Sequence, residues 1–151
     1  MSPRSISADE IYARIPHSGA MRLLDAVLSW DDQSIVCSAS SHVDPANPLR
    51  DNGVISSVHA LEYAAQAMAV HGSLLAPDDR NARLELVYVA TFRGVEIHPG
   101  ALDERENAIL NIVAKRVASL PNGWNYEFSV ASEEVVLARG KTVVVVPGVA
   151  T

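Results

Sequence analysis

The spacing of apolar residues divides the chain into two helices and six strands. Ser7 followed by Glu10 forms a capping-box pattern, which predicts a short first helix that ends before Pro16. Apolar residues at alternating steps of four and three predict a long helix over residues 54–75. Stretches typical of extended chain predict strands at residues 22–30, 34–43, 84–93, 107–118, 125–131 and 135–146.

The order of these elements predicts a sheet that curls around the long helix. One long helix among many antiparallel strands is typical of an α+β fold. Alanines keep the long helix thin, so the sheet can approach it from several sides; they are Ala60, Ala64, Ala65, Ala67 and Ala69. Because no repeat or linker divides the chain, we expect a single domain over residues 1–151.

Composition narrows the classes of function. The chain has 151 residues, of which 48% are hydrophobic and 20% charged, so a folded core is expected and intrinsic disorder is excluded. A net charge of -6 offers no excess positive potential to a phosphate backbone, so we expect no nucleic-acid binding. The single cysteine, Cys37, excludes an intrachain disulfide and a thiolate metal cluster.

We expect a cytoplasmic protein with no membrane association. The N-terminal residues lack the apolar core of a secretory signal, and a lone cysteine suits a reducing compartment. Residues 54–76 approach the length of a membrane span, but polar side chains interrupt them at His59, Glu62, Gln66 and His71. This segment is therefore interpreted as a buried helix of a soluble protein.

Glu62 is the only carboxylate of the long helix and lies in its most apolar part. Burying an ionised carboxylate costs several kcal/mol unless it is paired, so such a residue has a partner, is protonated or lines a pocket. His59 and Gln66 fall on the same helical face, where Glu62 could act as acid or base and Gln66 could orient a neighbouring group. The alternatives are a solvated helix edge or a dimer contact. His71 lies well off this face, so no metal site is predicted.

Two loop histidines are further candidates. His17 lies in a tight loop before the first strand pair, and its alternative role is to fix that loop by bonding to backbone. His42 lies beside the loop that enters the long helix, so its ring either reaches the helix or points to solvent. His98 is interpreted as a turn residue. The chain has no Gly-rich phosphate loop and no G-x-S-x-G elbow, so nucleotide and α/β-hydrolase chemistries are not indicated.

Two segments resemble bacterial 3-hydroxyacyl-acyl carrier protein dehydratases. Residues 15–25, IPHSGAMRLLD, resemble the Pro-His…Leu-Leu-x-Asp opening of that family, and residues 61–68, LEYAAQAM, resemble its central-helix Glu-x-x-x-Gln segment. The sequence looks closest to the divergent branch associated with aryl-polyene and related pathways. The resemblance implies a hotdog fold, in which an antiparallel sheet wraps a long central helix, usually as a dimer with active sites at the subunit interface.

The resemblance also implies roles for individual residues. In this family a loop histidine removes the C2 proton and a central-helix carboxylate assists departure of the C3 hydroxyl; Glu62 matches that carboxylate. The family's histidine position falls on residues 47–50, where Pro48 cannot act as a base, so His42 or His17 would be the proton acceptor.

The same comparison gives expectations for substrate binding. Gln66, Tyr63 and His59 would orient the reacting groups or line the acyl tunnel. Gly53 belongs to the segment that corresponds to the family's helix start, about one turn further from the glutamate than usual. Backbone N–H groups at a helix start would meet the thioester carbonyl there.

The expected function is that of a dehydratase-like protein acting on 3-hydroxyacyl thioesters in fatty-acid or polyene-type biosynthesis, with no metal or organic cofactor. The alternatives are a non-catalytic acyl-binding or scaffolding subunit paired with a second dehydratase, and a hotdog thioesterase. The acyl carrier would be acyl carrier protein or coenzyme A, and the assembly a homodimer, a higher oligomer or that heterodimer. Arg80 and Arg83, with Arg93 further along, form the densest basic stretch. Because acyl carrier protein is acidic, Arg80 and Arg83 are its candidate contact; the alternative role of these arginines is solubility.

Overall fold

A computed structural model describes residues 5–15, 21–75, 88–105 and 109–145. Within these ranges, seven strands form one antiparallel sheet in the order β1-β2-β3-β5-β6-β7-β4. The strands are β1 (Ile6–Ser7), β2 (Ala26–Trp30), β3 (Ser34–Ala39), β4 (Tyr88–Ile97), β5 (Leu110–Leu120), β6 (Gly123–Ser132) and β7 (Val135–Val145). The helices are α1 (Ala8–Tyr12) and α2 (Ala60–Leu75), and short 3-10 turns cover Ser41–Val43, Ser57–His59 and Leu102–Arg105.

The predicted capping box of the first helix is confirmed. The Ser7 hydroxyl accepts from the backbone N–H of Glu10 at 3.3 Å, and the Glu10 carboxylate accepts from the backbone N–H of Ser7 at 3.4 Å. Each side chain thereby satisfies an N–H that the first helical turn leaves unpaired. The helix ends at Tyr12, and its inner face is buried through Ile11 and Tyr12.

A hairpin turn at residues 31–33 joins β2 to β3. The Asp31 carboxylate accepts from the backbone N–H groups of Gln33 and Ser34 at 2.9 and 2.8 Å, and these bonds lower the pKa of Asp31. The predicted extension of β3 as far as Val43 is wrong. The strand ends at Ala39, because the chain then coils into the Ser41–Val43 turn and sends the Ser41 hydroxyl to the carbonyl oxygen of Leu23.

The long helix begins later than predicted. Residues 51–54 form a tight turn with Asn52 and Gly53 at positive φ, and the Ser56 hydroxyl then accepts from the N–H of Val58. A 3-10 turn follows, so α2 starts at Ala60 rather than Val54. Local cap and turn chemistry therefore overrides the apolar period that extends back to Val54.

The predicted enclosure of the long helix is confirmed. The helix packs against β3, β5, β6 and β7, and its alanines at positions 60, 64 and 67 have no exposed surface. The start of β5 shows that the sheet buries one of its faces: Leu110, Ile112 and Ala114 are buried, and the residues that alternate with them are exposed. No helix of the described residues is long and apolar enough to cross a membrane.

The last strands match their predictions within a few residues, with turns at residues 121–122 and at Glu133 and Glu134. The strand that was predicted over residues 84–93 is observed as β4, at Tyr88–Ile97; residues 84–87 lie outside the described ranges. Strand β4 pairs with β7 and lies at one end of the sheet order.

Candidate active site

The candidate site is built on the start of α2. His59 ends the preceding 3-10 turn, Glu62 and Tyr63 lie in the first helical turn, and Gln66 follows one turn later. Glu62 and His59 are half-buried, whereas Tyr63 and Gln66 are buried. The structure brings Glu62 and Gln66 together, because the Gln66 amide Nε2 donates to Glu62 Oε1 at 3.4 Å.

Gln66 joins α2 to two other parts of the chain. Its Oε1 accepts from the Tyr12 hydroxyl at 2.6 Å and from the backbone N–H of Leu23 at 3.4 Å, and its Nε2 also donates to the carbonyl oxygen of Met21 at 2.9 Å. The side chain is only 1% exposed, so protein groups rather than water satisfy the amide. Gln66 therefore holds the Glu62 carboxylate from a fixed position.

Tyr12 is a member of this network that the sequence patterns did not indicate. Its hydroxyl donates to Gln66 and accepts from the backbone N–H of Leu24 at 2.7 Å. Burial raises the pKa of Tyr12 to about 12, so the hydroxyl keeps the proton that it gives to Gln66. The first helix thereby fixes the amide that in turn contacts Glu62.

Tyr63 anchors the turn that carries His42. The Ser41 hydroxyl donates to the carbonyl oxygen of Leu23 at 2.8 Å, so in the 2.7 Å bond between the two hydroxyls Tyr63 donates to Ser41. The Asn47 amide donates to the Tyr63 oxygen at 3.3 Å and to the Ser41 carbonyl oxygen at 2.9 Å. Burial raises the pKa of Tyr63, which keeps its hydroxyl neutral.

His42 is fully buried in the Ser41–Val43 turn, next to the residue that contacts Tyr63. Its carbonyl oxygen accepts from Arg50 at 2.9 Å. The structure thus places His42 on a turn that hydrogen bonds connect to Tyr63, the residue next to Glu62 at the start of α2.

The loop at residues 44–53 is held by one guanidinium group. Arg50 donates to Asp103 at 2.8 Å, to the carbonyl oxygens of His42 and Asp44 at 2.9 and 3.0 Å, and to that of Gly53 at 3.2 Å. The side chains of Arg50 and Asp103 are 17% and 20% exposed, so the ion pair is partly shielded from solvent. This loop includes residues 47–50, where the sequence resemblance predicts the position of the base.

Neither Asn47 nor Pro48 of that loop carries a basic side chain. Asn47 is buried and supplies the amide bonds described above, whereas Pro48 is exposed and has no proton-accepting side chain. The polar contacts from this loop to α2 therefore come from a neutral amide, which cannot remove a proton from carbon.

The remaining sequence candidates lie elsewhere. Gly53 is exposed in the turn before the 3-10 segment. His98 is half-buried directly after β4, and its backbone N–H donates to the Leu137 carbonyl oxygen. His17, Arg80 and Arg83 lie outside the described residues. Among the residues that are described, no three His, Cys, Asp or Glu side chains are grouped to hold a metal ion.

His71 has a structural environment of its own, away from Glu62. Its Nε2 lies 2.8 Å from the Asp31 carbonyl oxygen and must donate, so Nδ1 accepts the 2.6 Å bond from the Tyr126 hydroxyl. Tyr126 in turn accepts from Arg116 Nε at 2.8 Å. Burial lowers the pKa of His71, consistent with a neutral ring in this chain of bonds.

A protein-family model matches almost the whole chain. It is described as ApeP-like, ApeP dehydratase, and matches residues 9–151. The resemblance to a divergent dehydratase branch is thereby confirmed. Comparison with curated protein sequences gives no significant match.

Solved structures share the fold at low sequence identity. The dehydratase heterocomplex ApeI:P from Xenorhabdus doucetiae matches with a TM-score of 0.73 and 21% identity, over 95% of this chain and 92% of that one. A hypothetical thioesterase with coenzyme A from Streptococcus pneumoniae matches with a TM-score of 0.57 and 12% identity, over 83% and 87% of the two chains. The E. coli PaaI protein from the phenylacetic acid degradation operon matches with a TM-score of 0.55 and 12% identity, over 83% and 80%. The predicted hotdog fold is confirmed.

Proposed function

Because the chain belongs to the ApeP-like dehydratase family, we propose that it takes part in dehydrating 3-hydroxyacyl thioesters of an acyl carrier protein, in cytoplasmic fatty-acid or polyene-type biosynthesis. The observation that carries the proposal is the environment of Glu62. This half-buried carboxylate sits at the start of α2, and a buried amide with three further hydrogen bonds holds it. A positioned carboxyl group is what departure of a hydroxyl group requires.

The reaction needs one acid and one base. The base removes the C2 proton, and the C2–H electron pair becomes the C2=C3 double bond while the C3–O bond breaks. The Glu62 carboxyl gives its proton to the departing hydroxyl, so the products are an enoyl thioester and water. The proton on the base then returns to Glu62 through water, and no metal or organic cofactor takes part.

Two histidines are proposed as the base. His42 is favoured by its place on the turn that Tyr63 and Asn47 bind, beside the helix that carries Glu62. His17 is retained because its loop precedes Met21 and Leu23, which both contact Gln66.

The test is dehydration of a 3-hydroxyacyl thioester by the purified chain, monitored through the absorbance of the enoyl product. Glu62→Gln removes the proton but keeps the shape, and we expect kcat to fall about 10²- to 10⁴-fold. Glu134→Gln, in an exposed turn, makes the same chemical change and is expected to keep wild-type kcat. Separate His42→Gln and His17→Gln variants identify the base by which of them loses activity. A Glu62→Gln protein with wild-type kcat would refute the assignment.

A second candidate function is that of an acyl-binding subunit that supports an active dehydratase. The position of the family's histidine favours it, because exposed Pro48 and buried Asn47 occupy that loop. The related structure described as a dehydratase heterocomplex makes a hetero-oligomer a reasonable assembly to test, alongside a homodimer. Activity that appears only after mixing with a second dehydratase, and that survives Glu62→Gln here, would support this function. Release of free thiol from the same thioester, or from its coenzyme A analogue, would instead identify a thioesterase.

A further inference from the structure

The hydroxyl group of Tyr12 binds two segments of the chain at once. It donates to Gln66 Oε1 at 2.6 Å and accepts from the backbone N–H of Leu24 at 2.7 Å. A phenol has one proton, and the N–H of Leu24 is itself a donor, so that proton has to point at Gln66. Because Tyr12 is only 6% exposed, water does not compete for it. The tyrosine is therefore a fixed donor aimed at the amide beside Glu62.

The surroundings of Gln66 decide which way its amide faces. The carbonyl oxygen of Met21 can only accept and lies 2.9 Å from Nε2, whereas the backbone N–H of Leu23 can only donate and lies 3.4 Å from Oε1. The second donor to Oε1 is the Tyr12 hydroxyl, and its bond, at 2.6 Å, is much the shorter of the two. Tyr12 thus supplies most of the hold on Oε1, which leaves the Nε2 hydrogens facing Met21 and Glu62.

The amide in turn distinguishes the two oxygens of Glu62. Gln66 Nε2 lies 3.4 Å from Glu62 Oε1, and such bonds tighten when substrate fills a site. In a neutral carboxyl group the carbonyl oxygen accepts this bond, so the acidic proton is carried by the other oxygen, Oε2. The bond also restricts rotation of the carboxyl group, which must face the hydroxyl that leaves. The contacts that start at Tyr12 therefore end on the orientation of the group that gives up the proton.

The ring and the hydroxyl of Tyr12 have separate partners. The ring is part of the hydrophobic core, and the Arg22 guanidinium lies 5.4 Å from its centre. Phenylalanine keeps both of these contacts and removes only the hydroxyl. The variant Tyr12→Phe is therefore a test of the hydroxyl bonds rather than of core packing.

We propose that Tyr12 is a positioning residue for dehydration, because its hydroxyl orients the Glu62 carboxyl group through Gln66. This role rests on the proposed function in one respect, which is that Glu62 protonates the departing hydroxyl. Tyr12 does not itself touch the substrate. An acid that acts only in the transition state contributes to kcat and not to KM, so the loss of its support lowers kcat alone.

The hold on the amide can be measured without turnover, by NMR of the full chain labelled with ¹⁵N in its glutamine side chains. Gln33 and Gln66 are the only glutamines of the chain, and Gln33 is exposed. In wild type we expect the NH₂ protons of Gln66 to exchange slowly with water and those of Gln33 to exchange fast. Tyr12→Phe should accelerate the exchange at Gln66 at least about tenfold. An unchanged exchange rate would overturn the proposal.

Steady-state kinetics with the 3-hydroxyacyl thioester separate positioning from stability. Tyr12→Phe should lower kcat about 10- to 100-fold and change KM less than about twofold. Tyr126→Phe is the matched control, because it removes a buried hydroxyl that has two side-chain hydrogen bonds, at 2.6 and 2.8 Å, away from Glu62. The control should keep kcat within about twofold of wild type and leave the exchange at Gln66 unchanged. An equal loss of kcat in both variants would indicate a purely structural role and overturn the proposal.

A double variant shows whether Tyr12 acts through Glu62. In Glu62→Gln the acidic proton is already absent, so adding Tyr12→Phe should lower kcat by less than a further factor of about two. A further fall as large as the one that Tyr12→Phe causes in wild type would show that Tyr12 acts elsewhere.

The two proposals can fail separately. Faster exchange at Gln66 in Tyr12→Phe, in a chain that does not dehydrate the thioester, would support the hold of Tyr12 on the amide and count against the proposed function. Dehydration that depends on Glu62 but keeps its wild-type kcat in Tyr12→Phe would support the function and overturn the positioning role.

Discussion

Replacing Gln66 with methionine should destabilise the protein strongly, because the amide is a buried junction. Methionine keeps a similar shape but removes every hydrogen bond of the side chain. The short bonds are those with the Tyr12 hydroxyl at 2.6 Å and the Met21 carbonyl oxygen at 2.9 Å; those with Leu23 and Glu62 are longer, at 3.4 Å. Since Gln66 is 1% exposed, water cannot easily replace the lost partners.

The magnitude follows from the groups that are left unpaired. A buried donor or acceptor without a partner costs about 1–3 kcal/mol. The Tyr12 proton and the Met21 carbonyl oxygen lose their short bonds, and the Leu23 N–H loses a weak one. We therefore expect the free energy of unfolding to fall by about 3 kcal/mol, a change of more than a hundredfold in the unfolding equilibrium.

Urea unfolding at fixed protein concentration measures this change, with the fluorescence of the two tryptophans, Trp30 and Trp124, as the signal. Gln33→Met is the matched control, because Gln33 is exposed and the same substitution there should stay within about 0.5 kcal/mol. A double-mutant cycle with Tyr12→Phe should give a coupling of at least about 1 kcal/mol. If Gln66→Met unfolds within about 1 kcal/mol of wild type, the amide is not the junction that its contacts indicate.

Three further outcomes are expected. Burial lowers the pKa of His71 below its ordinary value of 6.5, so below about pH 6.5 the unfolded chain binds a proton that the folded chain does not bind, and stability should fall as the pH drops. Urea titrations at several pH values should show a smaller fall in stability for His71→Gln than for wild type. Equal pH profiles of the two proteins would contradict this. Cys37 has no exposed surface, and burial raises the pKa of its thiol to about 12. DTNB should therefore react with Cys37 only as the chain unfolds in urea. Rapid reaction of the native protein would contradict this burial. Asp103→Asn removes the charge that faces Arg50 at 2.8 Å and should cost roughly 2 kcal/mol by thermal or urea unfolding, whereas an unchanged midpoint would mean that the loop does not depend on this pair.

Local sequence signals predicted the elements that depend on near neighbours. Ser7 and Glu10, three residues apart, cap the first helix, and Glu62 and Gln66, four residues apart, form a hydrogen bond. The apolar period identified the central helix, and its alanines indicated that strands surround it. The same period could not show where the helix begins, because Ser56 and the turn at Gly53 decide that point.

Contacts between distant segments were beyond the reach of sequence spacing. Tyr12 and Gln66 lie 54 positions apart, and His71 and Tyr126 lie 55 apart, so no periodicity connects them. The neighbourhood of Arg93 depends on sheet order as well, because β4 pairs with β7 and places Arg93 opposite Lys141. Spacing along the chain groups Arg93 with Arg80 and Arg83 instead.

The position of β4 limits how the chain can associate. Its backbone pairs with β7 on one side, and no described strand borders the other side. An open ladder edge can accept one additional strand and no more. A second copy and a different subunit that both used this edge would therefore be mutually exclusive neighbours, and the ratio of the two chains would decide which assembly forms.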